Sequence, residues 1–341
     1  MKFLWLLLLG VTILEAIEMK IASYNVENLF DMKEDGTEYE QYFPNTSWGW
    51  TTQMQRIKLQ HTARVIHDIN ADVIGLQEIE SESVLKELKA EINRQGLYYP
   101  YYVFSRNKRG GAVSVALLSR YPITSAISHP VSANSDYRNI LEARIDFKGH
   151  PLRVYVNHWK SKMGPESMRI RSAKVVKKLI DKLPKNEPYI LVGDFNSHYE
   201  EYKIFLKSRR HNDTNGVTGI NHILQTIDDD ENPITYTTMK STGKNLYNLW
   251  YELPSEQRWS HSFKGKGEGL DNIIISPALA NDNGIEYVRG SFTRFTPEYL
   301  FNKGKVYRWQ QSKSYPKHHT GEGYSDHLPV SAVFEVVGLQ R

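Results

Sequence analysis

Short apolar runs that stop at a polar residue recur along this chain, and they alternate with stretches of helical spacing. Ile21-Ala-Ser-Tyr-Asn25 ends in an amide. Leu59, Ala63, Ile66 and Ile69 recur every three or four residues, which predicts an amphipathic helix over 55–69. Ala71-Asp-Val-Ile-Gly-Leu76 is a short buried strand with Gln77-Glu78 at its end, and Val84, Leu85, Leu88 and Ile92 mark a second helix capped by Ser81 or Ser83. Strands are predicted at Tyr101–Phe104, Val113–Leu118, Ile140–Phe147 and Leu152–Val156, separated by Gly110-Gly111 and Tyr121-Pro122, and Asn157-His158 follows the last of them. Ile170, Ala173, Val176, Ile180 and Leu183 give a basic helix, and Leu270–Ile275 and Pro329–Val337 give the final strands. Residues 207–269 are punctuated by Gly, Pro, Asn and Asp, with little periodicity beyond Leu246–Leu253.

The sharpest strand end is Tyr189-Ile-Leu-Val-Gly-Asp-Phe-Asn196. Residues i and i+2 of a strand share a face, so Asp194 and Asn196 are predicted to look into one cleft with Phe195 turned away. Asp and Asn after a strand are most often turn formers. The other strand ends change that balance, because Asn25, Glu78, His158, Asp271, and Asp326 with His327 are polar in the same way. Singly, each has a structural use: Glu78 as a helix cap, Asp271 as an edge acid, the histidines as hydrogen-bonded scaffold. Together they are acids, imidazoles and amides, in a chain without a G-x-S-x-G serine or a P-loop. That set suits attack of water on phosphorus assisted by a hard divalent cation.

Composition narrows the choice further. The chain has 341 residues, enough for one large domain or two smaller ones. Neither an internal repeat nor a composition break marks a linker, so one domain over 17–341 is expected. There are no cysteines, which removes disulfides, thiolate metal sites and a cysteine nucleophile, and leaves Asp, Glu, Asn and His to hold any metal. The net charge of +4 favours an anionic partner. Residues 1–16 stand apart: Lys2 precedes an apolar run from Phe3 to Leu14, and Glu15-Ala16 follow. That run fits a secretory leader and falls short of the roughly 20 residues that span a bilayer. Export with cleavage after Ala16, to the periplasm or the medium and without a stable membrane anchor, is therefore expected.

Six stretches, in order, resemble the endonuclease/exonuclease/phosphatase superfamily, the deoxyribonuclease-I-like enzymes, and within it the exported bacterial nucleases. They are Ser23-Tyr-Asn-Val-Glu-Asn-Leu29, Gly75-Leu-Gln-Glu-Ile-Glu80, Val156-Asn-His-Trp-Lys-Ser-Lys162, Gly193-Asp-Phe-Asn196, Leu270-Asp-Asn-Ile-Ile-Ile275 and Tyr324-Ser-Asp-His-Leu-Pro329. The resemblance implies an α/β fold, a four-layered sandwich of two packed mixed β-sheets flanked by helices. It implies a monomeric, Mg²⁺-dependent phosphodiesterase (Mn²⁺ or Ca²⁺ as alternatives) that cuts DNA, with RNA also open, to a 5′-phosphate and a 3′-hydroxyl. Residue by residue, it makes Glu78 the main metal carboxylate, with Asn25 and Asp326 completing or bordering the metal site. Asp194 handles the attacking water and Asn196 grips the phosphate or transition state. His327 binds a phosphoryl oxygen with Asp271 behind it, and His158 is the second histidine. One departure stands out: the region where the resemblance implies a glutamate backing His158, Gly110-Gly-Ala-Val-Ser-Val115, has no acid, which leaves His158 to another partner such as Asp136 or to phosphate alone.

Two basic stretches extend the picture. Tyr299 to Gly321 carries Lys303, Lys305, Arg308, Lys313 and Lys317 with interleaved aromatics and no acid, and Lys160 to Lys178 is basic with Glu166 as its sole acid. Lys160, Lys303, Lys305, Arg308, Lys313 and Arg138 are thus expected to contact a phosphate backbone. Two rivals share the kit. A secreted sphingomyelinase-like phospholipid phosphodiesterase would use Trp48, Trp50 or Trp309 at the lipid surface. A non-catalytic binding protein on the same fold would have no reason to keep the acids and imidazoles.

Overall fold

The computed structural model describes residues 17–105 and 111–337; the expected leader at 1–16 lies outside them. The first strands are β1 Glu18–Leu29, β2 Val73–Ile79, β3 Tyr101–Phe104, β4 Ser114–Ser119, β5 Ile123–His129, β6 Ile140–Phe147, β7 His150–His158 and β8 Tyr189–Asp194. They are followed by β9 Tyr247–Asn248, the hairpin of β10 His261–Phe263 and β11 Lys266–Glu268, β12 Asp271–Ile275, β13 Gly284–Tyr287 and β14 Thr293–Arg294. The hairpin of β15 Phe301–Asn302 and β16 Lys305–Val306 precedes the last strand, β17 Val330–Val337.

Two mixed sheets result. One has the order β13-β17-β1-β2-β4-β3 with β14 paired to β17, the other β5-β6-β7-β8-β12-β9. β1 and β2 are parallel, as are β7 and β8. Successive residues of a strand face opposite ways, and here both ways are buried. From β1, Ile21 joins Val73, Val115, Val154, Val192 and Ile273 in the core between the sheets. Its neighbour Ala22 faces the other way, with Leu76, Ile66, Leu85 and Leu88. The last three belong to helices α1 Thr52–Ile69 and α2 Glu82–Arg94, which cover that sheet. Helix α3 Glu166–Ile180 covers the other, placing Ala173 and Val176 with Tyr155, Leu191 and Ile274. Strands buried on both faces read as unbroken apolar runs, which is the pattern in the sequence.

The predicted helix at 55–69 begins earlier, because Thr51 accepts a hydrogen bond from the Met54 amide and caps it. Ser81 caps α2 by accepting from Val84 N at 3.1 Å. β5 has no counterpart in the sequence reading. Most of its residues are exposed, so it has no apolar face to announce it. Within 207–269, helix α4 Tyr236–Thr242, β9 and the β10–β11 hairpin are short elements held by tertiary contacts. No helix among the described residues is long and apolar enough to cross a membrane.

Candidate active site

Three neighbouring strands of the second sheet deliver three polar side chains abreast. His158 of β7 is the partner of Asp194 in β8, and Asp194 is the partner of Asp271 in β12. The step before, Gly193, has φ 136°, and a Cβ there would lie 2.0 Å from the Asn157 carbonyl oxygen. Only glycine permits this approach. Beyond Asp194 the chain leaves the strand, and Asn196 takes a left-handed conformation with φ 48°. Its amide donates to Asp194 Oδ1 at 2.8 Å, and its side-chain Nδ2 donates to Asp194 Oδ2 and to the Trp159 carbonyl, both at 3.1 Å. Asp194 and Asn196 therefore meet through a turn, and the expected strand alternation is corrected on that point. Phe195 does turn away, buried against Trp159 at 4.7 Å between ring centroids.

The first sheet supplies the opposite wall. β1 and β2 run in register to Asn25 and Gln77, and the register then shifts. Glu27, Asn28 and Glu78 all take positive φ values there, of 52°, 59° and 66°. Such bulges re-aim side chains at a sheet end. Asn25 Nδ2 donates to Glu78 Oε1 and to Asp194 Oδ2, each at 3.1 Å, and so ties the two sheets together. The Asn28 amide donates to Glu78 Oε2 at 2.9 Å. Asn25 Oδ1 accepts from the Glu27 amide at 3.0 Å. Asn25 thus turns its nitrogen to the site and orients Glu78; the resemblance has it complete or border the metal site.

The loop before β17 closes the cleft. Ser325 donates to the Asn25 carbonyl at 2.7 Å and accepts from the His327 amide at 3.1 Å. His327 Nδ1 sits 2.7 Å from Asp271 Oδ2, and its Nε2 lies 3.8 Å from Asp194 Oδ2. His158 Nε2 lies 3.6 Å from Asp194 Oδ2 and 3.8 Å from Glu78 Oε1. His158 Nδ1 is buried with no hydrogen-bond partner among the described residues. Asp136 is not its partner, for that acid pairs with Lys160 Nζ at 2.7 Å.

Charge follows from this geometry. Burial opposes a proton on His327, but Asp271 and Asp194 overcome it and hold its pKa well above the usual imidazole value. Burial, aided by Asp271 and Glu78, raises Asp194 to about 7 against the pull of His327. Burial, then the nearby cations Arg138 and His327, keep His158 well below the usual value and so neutral. Glu78 is raised by burial first and by the charge of Asp326 next. The His261 ring lies tilted beside His327, with ring centroids 4.7 Å apart, and burial lowers it to about 4.

A divalent cation fits one part of this cleft. Glu78 and Asp326 line the same cavity of about 630 Å³, and the charge of Asp326 raises the cost of charge on Glu78. A hard cation between oxygen donors relieves that repulsion. The clusters of His327 with Asp194 and Asp271, or with His261 and Asp326, bring ligand atoms close as well. His327, however, is a cation already committed to Asp271. Glu78, with Asp326 beside it, is the better seat.

The cationic residues divide. Lys303, Lys305 and Lys313 are exposed, and Arg138 lines the cavity. Arg308 is tied along one edge: its Nε and Nη2 bond Glu27, and Nη2 lies 3.4 Å from Asp326 Oδ2. Lys160 is held by Asp136. Trp50 and Trp309 are buried and cannot meet a lipid surface, while Trp48 is half-buried. Glu27 and His261 have no role in the sequence reading. Glu27 lies inside the quoted Ser23–Leu29 stretch, which was its only signal, and His261 is an isolated histidine with none.

This arrangement, two mixed sheets meeting at one end over paired acids and histidines, defines a hydrolytic site for phosphate esters. The sequence profile of the Endonuclease/Exonuclease/phosphatase family matches residues 20–336, and the chain belongs to that family. Its members are hydrolytic phosphodiesterases and phosphatases, generally with divalent metals. The uncharacterised protein YbhP of Escherichia coli K12 is 26% identical over 165 residues, spanning 45% of this chain and 64% of YbhP, under two thirds of that relative's length. Among solved structures, D. rerio TDP2 complexed with a single-strand DNA product superposes with a TM-score of 0.55 at 13% identity, covering 93% of this chain and 98% of that one. An AP endonuclease from Archaeoglobus fulgidus gives 0.56 at 17% identity, over 93% and 99%. At such identities the likeness is one of fold.

Proposed function

We propose that the protein is an exported, divalent-metal-dependent nuclease, a single catalytic unit from residue 17 onward that works as a monomer on DNA. The observation that carries this reading is the environment of Asp194 Oδ2. It accepts from two side-chain amides at 3.1 Å and faces two imidazole nitrogens at 3.6 and 3.8 Å. One carboxylate, one cationic imidazole and one neutral imidazole converge on a space that a phosphodiester would fill.

Asp194, raised to about 7, accepts a proton from the attacking water. The His327 imidazolium donates from Nε2 to a phosphoryl oxygen as charge grows there, with Asp271 fixing the proton on Nδ1. Asn25 and Asn196 hold the Asp194 carboxylate in place, and neutral His158 orients water or phosphate from Nε2. A cation held by Glu78 with Asp326 would supply Lewis-acid stabilisation of the developing negative charge. The products expected are a 5′-phosphate and a 3′-hydroxyl. The DNA-bound TDP2 fold supports the substrate class.

The test is purified mature protein against plasmid DNA, RNA and sphingomyelin vesicles, with and without Mg²⁺ or Mn²⁺. DNA cleavage that chelator abolishes is expected; cleavage of sphingomyelin alone overturns the reading. Two exposed apolar side chains on the lining of the cavity favour the lipid alternative, Phe263 and Met163, at 62% and 78% exposure.

A further inference from the structure

Three imidazoles and two carboxylates alternate across the cleft. His158 Nε2 lies 3.6 Å from Asp194 Oδ2, and that oxygen lies 3.8 Å from His327 Nε2. His327 Nε2 in turn lies 3.9 Å from Asp326 Oδ1, and Asp326 Oδ2 lies 4.0 Å from His261 Nε2. All these gaps are too long for a hydrogen bond, so the nitrogens face the shared space instead of binding the acids. His158 and His261 stand at opposite ends of the row. Among the described residues, Asp326 is the one acid that His261 Nε2 approaches within 4.0 Å.

Two elements of the site hold His261 in place. It opens β10, and its backbone bridges that of His327. Ser260 before it accepts from the Asp271 amide through Oγ at 3.1 Å and from the Leu328 amide through its carbonyl at 2.8 Å. A scaffold histidine of this protein looks different. His319 Nδ1 accepts from Trp309 Nε1 at 2.9 Å, and its Nε2 donates to the Gln41 carbonyl at 2.8 Å. His261 Nδ1 is buried with no hydrogen-bond partner among the described residues. A buried N–H without an acceptor is rarer and costlier than a lone pair without a donor, so the ring proton belongs on Nε2. A metal on Nε2 would force that proton onto Nδ1, where nothing accepts it. His261 is thus a neutral donor on the lining of the cavity, and not a ligand.

In an in-line displacement the attacking and departing oxygens take opposite faces of phosphorus. Asp194 draws the water to one part of the row, and the groups assigned above leave the departing oxygen unattended. We propose that His261 is a further catalytic residue, whose Nε2 donates a hydrogen bond to the departing oxygen. This rests on the phosphodiesterase reading above. The water oxygen bonds to phosphorus as the bond from phosphorus to the departing oxygen breaks, and that oxygen keeps the electron pair. Asp194 takes one proton of the water, and solvent protonates the departed oxygen. The imidazole keeps its own proton throughout and stabilises charge as it develops.

The experiment compares two substrates of mature protein with Mn²⁺, the p-nitrophenyl ester of thymidine 5′-phosphate and the thymidylyl-thymidine dinucleotide. A nitrophenolate departs readily without help, whereas a sugar oxygen needs its charge stabilised. His261→Phe keeps a ring beside His327 and removes the donor. It is expected to lower kcat on the dinucleotide about 10²-fold and on the nitrophenyl ester less than about threefold. His261→Ala, with a smaller side chain, should repeat that split. His261→Gln restores a neutral N–H and should regain at least about tenfold on the dinucleotide relative to His261→Phe. Equal losses on the two substrates, no loss on the dinucleotide, or no recovery in His261→Gln overturns the inference and leaves the phosphodiesterase reading standing. If the wild-type protein cleaves neither substrate nor DNA, that reading falls and the inference with it.

Discussion

The proton on His327 is held by Asp271 and Asp194 against a burial that would remove it. A histidine whose folded pKa is raised contributes stability that is fully present below the unfolded value of about 6.5, and loses it as pH rises through the folded value. Asp271→Asn should therefore destabilise the protein at neutral pH and much less at strongly alkaline pH. It should also move the alkaline limb of kcat/KM to lower pH, with a loss of turnover of about tenfold, because the residue acts through His327. His327→Ala removes the donor itself, and a fall in kcat of about 10²–10³ is expected, with KM little changed. An alkaline limb that stays in place in Asp271→Asn would refute the pairing. Glu78→Gln keeps the shape and removes the charge. Calorimetric titration with Mn²⁺ should show its affinity reduced at least tenfold, in step with turnover; unaltered binding would exclude Glu78 as the seat of the ion.

Among the elements, β8 is the most constrained. Gly193→Ala places a Cβ at 2.0 Å from the Asn157 carbonyl and forces an alanine to φ 136°. A loss of about 3 kcal/mol or more in urea unfolding is expected, with activity falling because His158, Asp194 and Asp271 no longer lie abreast. Wild-type stability in this variant would refute the close approach. This strand was also the most legible in the sequence, because Ile190, Leu191 and Val192 are buried on both faces and Gly193-Asp194 ends the run. β12 was legible for the same reason. The bulges at Glu27, Asn28 and Glu78 were not, since a positive φ at Glu or Asn leaves no mark in hydrophobic patterning. Nor was the partner of Arg308: Glu27 lies 281 positions away, and only the packing of the loop after β16 against the end of β1 brings the charges together. Without that contact, a run of lysine, arginine and aromatic side chains reads as a phosphate-tracking face.

At the scale of the whole molecule, the remaining cations predict how the protein meets its substrate. Lys303, Lys305 and Lys313 are exposed. If they track a phosphate backbone, affinity for duplex DNA should fall with salt at a slope of about −0.9 per phosphate contacted. Replacing the three with Gln should flatten that slope and raise KM more than it lowers kcat. A slope unaltered by the triple change would place the DNA elsewhere. Export belongs to this scale too: a mature N-terminus near Ile17 is expected in the envelope or medium, and N-terminal sequencing of the native protein checks it.

Asn25 gives the fold a built-in alignment gauge. Its amide spans from Glu78 in one sheet to Asp194 in the other, each at 3.1 Å, while every ladder hydrogen bond lies within a single sheet. A slide of about 1 Å between the sheets would stretch that span past bonding distance and leave both ladders whole. Hydrolysis should consequently fade in mild denaturant before the far-ultraviolet signal of the strands changes, so that lost turnover is the first sign of a scaffold out of true.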